Sequence, residues 1–92
     1  MTTTAAELRI KGMVQGVGYR YFCYREATGL GLTGWVRNVP DGTVRARVEG
    51  DRNDIETLIR RLKAGPSSAH VDQVDVDWQD SEQTSDSFTI EH

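Results

Sequence analysis

Leu8 and Ile10 alternate with Glu7, Arg9 and Lys11, the period of a half-buried strand. Beyond the glycine-spaced stretch Gly12 to Gly18, the spacing changes: Tyr19, Phe22, Cys23, Ala27 and Leu30 recur at three- and four-residue intervals, one apolar stripe of a helix. Gly29 to Gly34 turn the chain, and Trp35 to Val39 read as a second strand. Pro40-Asp41-Gly42-Thr43 is a turn signal, after which Val44, Ala46 and Val48 alternate with Arg45, Arg47 and Glu49. Two strands joined this tightly form an antiparallel hairpin. Asp51 is an expected N-cap for a second helix carrying Ile55, Leu58, Ile59 and Leu62, which Gly65-Pro66 ends. Val71, Val74, Val76 and Trp78 give a fourth strand with an irregularity expected near Asp72-Gln73. Gln79 to Ser87 read as a loop, and Phe88 to Ile90 as a short closing strand. Met1 to Ala6 are expected to be a frayed tail. The order β-α-β-β-α-β plus one short strand predicts an α+β split sandwich with two helices on one face of an antiparallel sheet.

At 92 residues the chain is sized for one domain, 1–92, and its 37% hydrophobic and 27% charged residues are ordinary globular values. A net charge of −3 argues against a nucleic-acid or anionic-membrane surface, while leaving room for a local positive pocket. Neither a signal-like apolar run nor a stretch of roughly 20 apolar residues occurs, and the single cysteine has no intramolecular partner. A cytoplasmic chain with no membrane partner is the expectation.

The chemistry concentrates at the first strand-to-helix junction. Spaced glycines and a helix N-terminus favour an anion there, and Arg20 in the first helical turn opposes the helix dipole unless an anion compensates it. A guanidinium fork suits two oxygens of a phosphate or carboxylate. On these residues alone the alternative is a tight turn followed by a solvated arginine.

Other candidates are weaker. Gly29, Gly31 and Gly34 have dinucleotide-fingerprint spacing but follow a helix instead of opening one. Cys23 sits on the apolar stripe and reads as core, and His70 and His92 have no partner at metal-ligand spacing. Asp75, Asp77 and Asp80 read as the wet face of a sheet. Asn38, one step before Val-Pro-Asp-Gly, is either a turn-flanking residue bonded to its own backbone or a group that holds a water beside the anion site.

With both segments in view, Gly12-Met13-Val14-Gln15-Gly16-Val17-Gly18-Tyr19-Arg20 and Gly34-Trp35-Val36-Arg37-Asn38, followed by Asp41-Gly42-Thr43-Val44, resemble the two signatures of the acylphosphatase family in the right order. The resemblance runs from about Glu7 to Ile90. It implies a ferredoxin-like βαββαβ sandwich, with an antiparallel sheet of four to five strands, and hydrolysis of acyl phosphates to carboxylate and inorganic phosphate. Carried over, the backbone N–H groups of Gln15, Gly16, Val17, Gly18, Tyr19 and Arg20 would bind the phosphoryl oxygens. Arg20 and Asn38 would be the catalytic pair, one gripping phosphate and the other orienting water. No metal or cofactor is implied. The implied partners are a small-molecule acyl phosphate and inorganic phosphate as product and inhibitor, with a monomer expected. The family pattern usually has phenylalanine where Tyr19 stands and a bulkier residue at Gly18, and relatives often end in basic or aromatic residues where this chain has Glu91-His92. Two other readings are a non-catalytic module binding acyl phosphate, carbamoyl phosphate or another anion, as occurs inside larger hydrogenase maturation proteins, and an RNA-binding sheet. The acidic balance weighs against the second.

Overall fold

The computed structural model describes residues 3–83 and 85–92. Five strands and two helices follow in the order β1 (Thr3–Met13), α1 (Tyr19–Gly29), β2 (Thr33–Asn38), β3 (Val44–Asp51), α2 (Arg52–Ala64), β4 (His70–Gln79) and β5 (Phe88–Ile90). They form one sheet in the order β4-β1-β3-β2-β5. The period-two pattern explains the register: Leu8 lies between Ala46 and Val76, and Ile10 between Val44 and Val74. Their side chains point to one face, where α1 contributes Tyr19, Cys23 and Ala27, and α2 contributes Ile55, Leu58, Ile59 and Leu62. Each buried aliphatic side chain of this size stabilises the fold by about 1.5–3 kcal/mol relative to leaving it exposed. Cys23 is fully enclosed, and burial pushes its thiol up to about 12, which suits packing better than nucleophilic chemistry.

The helix boundaries follow the capping signals. Asp51 accepts a hydrogen bond from the Asn53 amide at 2.9 Å, and Arg61 and Lys63 lie in the last turn before Gly65. The β1–β4 register shifts between Lys11 and Gly12, where Gly12 pairs with Val71 and leaves Asp72 as the extra residue, the irregularity expected there.

Three features differ from the sequence pattern. Thr3 to Ala6 are not a tail: they extend β1 and pair with Asp51 to Val48 of β3, and Ala5 and Ala6 are 0% exposed. Thr-Thr-Ala-Ala carries little apolar signal of its own, so its strand is imposed by the partner edge; Met1 and Thr2, the rest of the expected tail, lie outside the described residues. The sheet is also mixed, not wholly antiparallel, because β5 runs parallel to β2 with Gly34, Val36 opposite Phe88, Ile90. A chain leaving β4 at one edge must cross the sheet to reach the other, and it arrives running in the direction of β2.

That crossing accounts for the third feature. Arg47 and Glu49 alternate outward, yet both are buried, Glu49 at 4% exposure. The Glu49 carboxylate accepts from the Ser81 hydroxyl at 2.6 Å and from the Glu82 and Gln83 amides at 2.8 and 3.0 Å. Arg47 reaches Glu82 at 3.1 Å and also bonds Gln79. The segment after β4 is therefore strapped to the open face of the sheet; Thr84, within the expected loop, lies outside the described residues.

Candidate active site

The glycine-spaced loop joins the end of β1 to the start of α1. Gly18 is the N-cap of α1, with φ of 78°, and Gly16 has φ of 75°. Both lie in the left-handed region where a side chain is strained, which lets the backbone curl tightly between β1 and α1. No side chain caps α1 and its first turn holds no acid. The first backbone bond of the helix is Phe22 N–H to Gly18 O at 3.1 Å, so the amides ahead of it have no helical acceptor. Among the described residues, the amides of residues 15–18 donate no hydrogen bond.

This curled backbone is braced from two sides. The Gln15 side chain donates through Nε2 to the carbonyls of Val39 and Thr43, at 2.7 and 2.8 Å. On the other flank, the Ser68 hydroxyl donates to the Val17 carbonyl at 2.9 Å. Below, the Tyr19 hydroxyl donates to Leu62 O at 2.8 Å, seating the start of α1 against α2. Burial, with Cys23 nearby, drives the Tyr19 hydroxyl pKa well above the tyrosine range, so it remains a donor.

Arg20 extends from the first turn of α1 toward the sheet edge. Its Nη1 donates to the Glu91 carbonyl at 2.9 Å and lies 3.4 Å from His92 Nδ1. Glu91 is placed by its own N–H, which donates to Val36 O at 2.8 Å. Asn38 ends β2 on the face shared with Gly34 and Val36. Its Oδ1 is buried and has no hydrogen-bond partner among the described residues, so it does not form the local backbone bond weighed as an alternative. Asp41 serves the turn instead, accepting from Thr43 N and Oγ1 at 3.0 and 2.7 Å.

An open cleft of about 250 Å³ brings these groups together. Gly16, Gly18, Tyr19, Arg20 and Asn38 line it, as do Val14, Tyr21, Ile90 and His92. Gln15 and Val17 do not line it. The Gln15 side chain and the Val17 carbonyl are bonded to the braces instead. No local pattern in the sequence marks Ile90 and His92 as neighbours of Arg20 and Asn38. The signal that could have found them is the placement of a last strand beside β2, which carries the chain past Asn38. A second, shallow cavity on the open sheet face, between Arg9, Arg45, Asp75 and Asp77, mixes both charges and lies away from these residues.

Comparison with known proteins agrees with the geometry. Residues 6–90 match the acylphosphatase family model. The chain belongs to the acylphosphatase family. It is 51% identical over 82 residues to an acylphosphatase of Thermococcus kodakarensis, covering 89% of this chain and 90% of the relative. The crystal structure of acylphosphatase from Bacillus subtilis superposes with a TM-score of 0.93 at 32% identity, over 97% of this chain and 99% of that one. HypF from T. kodakarensis also contains the fold, with a TM-score of 0.84 at 31% identity; 97% of this chain matches 12% of that protein. The ferredoxin-like α+β architecture and acylphosphatase activity, the hydrolysis of acyl phosphates to carboxylate and phosphate, follow for this chain.

Proposed function

We propose that the amides of Gln15 to Arg20 and the Arg20 guanidinium hold the phosphoryl group while Asn38 orients the water that attacks it. The observation that carries this reading is the unpartnered, buried Oδ1 of Asn38 in the same cleft as Arg20. A buried acceptor without a donor costs about 1–3 kcal/mol, and a water donating one O–H to it removes that cost. The water oxygen attacks phosphorus opposite the acyl oxygen. The P–O bond to the carboxyl group breaks, and the carboxylate leaves with the electron pair. Acyl phosphate dianion and water thus give a carboxylate and dihydrogen phosphate. Phosphoryl transfer of this kind needs in-line positioning and stabilisation of charge on the equatorial oxygens, tasks suited to fixed amide dipoles and a guanidinium. A carboxylate is a good leaving group, and the scheme uses no metal and no covalent intermediate.

The test is release of inorganic phosphate from benzoyl phosphate with EDTA present, comparing the native chain with Asn38→Ala. Turnover that survives chelation and collapses in the variant is expected. A folded chain that binds phosphate without turnover would support the anion-binding module instead. The proposal extends to a cytoplasmic monomer. Among the described residues only Met13 and Tyr21 are large apolar side chains left strongly exposed, too little for a stable subunit interface. Light scattering across a concentration series checks the monomer.

A further inference from the structure

Tyr21 is 57% exposed, a high value for so large an apolar side chain, and it lines the cleft together with Arg20. Its ring is held in place: it stacks on Tyr24 with centroids 6.2 Å apart and an interplanar angle of 23°, and the Arg25 guanidinium lies 5.9 Å from its centre. Ile90, half-buried at the end of β5, lines the same cleft. One cleft therefore brings polar groups at Gly16, Gly18, Arg20 and Asn38 together with the apolar surface of Tyr21 and Ile90. A phosphate held by Arg20 and the loop leaves the acyl group bonded to it within reach of Tyr21 and Ile90 in the same cleft.

We infer that Tyr21 is a specificity-determining residue that favours acyl phosphates with an aryl acyl group over acetyl phosphate. The inference rests on the reading of this cleft as the acyl phosphate site. A pre-oriented ring loses little freedom when a second ring packs against it, and aromatic pairs gain beyond the area they bury. Acetyl phosphate presents a single methyl group and gains far less from the same wall. Because Tyr21 does not touch the reacting atoms in this arrangement, its contribution falls mainly on KM.

The experiment measures kcat and KM for benzoyl phosphate and acetyl phosphate in the native chain, Tyr21→Ala and Tyr21→Phe, with inhibition by inorganic phosphate alongside. Tyr21→Ala is expected to lower kcat/KM for benzoyl phosphate roughly three- to tenfold more than for acetyl phosphate, through KM. Tyr21→Phe should keep the native ratio, since the ring and not the hydroxyl forms the wall. An equal loss on both substrates in Tyr21→Ala, or an altered ratio in Tyr21→Phe, overturns the inference while leaving the hydrolase intact. Hydrolysis of neither substrate by the folded native chain, with phosphate still bound, overturns the underlying reading and this inference with it.

Discussion

Arg20 Nη1 donates to the carbonyl oxygen of Glu91 at 2.9 Å, so the cation nearest the loop is oriented by the backbone following the last strand. That bond uses one donor of the guanidinium and leaves others for the proposed grip on phosphate oxygens. Arg20→Lys keeps the charge but has a single ammonium to serve both the carbonyl and the ligand. Phosphate inhibition should weaken and kcat/KM should fall, on the order of 10²–10³ for loss of an oxyanion-type donor. Inhibition kinetics with inorganic phosphate would show this, and native-like phosphate affinity in Arg20→Lys would contradict it.

Asn38→Ala should separate binding from chemistry. Removing a water-orienting acceptor lowers kcat by about 10²–10³ while phosphate affinity stays near the native value. Stability should stay near the native value, because the variant deletes a buried oxygen that accepts from no protein group among the described residues. Thermal unfolding of native chain and variant tests the second half independently of activity.

Gln15 provides a different kind of prediction, since its side chain bonds Val39 O and Thr43 O and not the cleft. Gln15→Ala leaves every ligand-facing amide in place and removes the tie between the loop and the turn after Asn38. Both KM and kcat should worsen, by about tenfold together for roughly 1.4 kcal/mol of lost positioning. Unchanged kinetics would mean that the loop keeps its curl without this brace.

Glu49 links stability to pH. Burial would raise its carboxyl pKa, but the Ser81 hydroxyl, the Gln83 and Glu82 amides and the Arg47 charge outweigh that and hold it below the usual carboxylate range. A carboxyl lowered in the folded state contributes stability that is fully present above its unfolded pKa of about 4.3 and is lost as pH falls through the folded value. Acid unfolding curves of Glu49→Gln should be flatter below about pH 4.5 than those of the native chain, and less stable at neutral pH.

Much of this arrangement is legible in the sequence because it is periodic or local. Strand alternation at Leu8 and Ile10, the stripe of α2 and the Asp51 cap each act within one element. The curled loop is legible for the same reason, since Gly16, Gly18 and Arg20 fall within five consecutive residues. What does not show is long-range. The Gln15 bonds span 24 and 28 residues and the Ser68 bond spans 51. No local pattern marks a glutamine or serine as a brace. Glu49 looks like any outward strand residue until the segment after β4 crosses over it, and Thr3 to Ala6 become a strand only because β3 offers an edge.

The two braces on the loop have a consequence for how this enzyme can vary. Side chains turned away from the cleft, those of Gln15 and Ser68 among them, hold the curvature of the loop backbone. Activity is thus open to adjustment from outside the cleft: a change at position 68 or in the turn from Val39 to Thr43 can loosen the cradle while every ligand-facing residue stays the same. Two relatives with identical signatures can differ in rate for reasons visible only in their flanking loops.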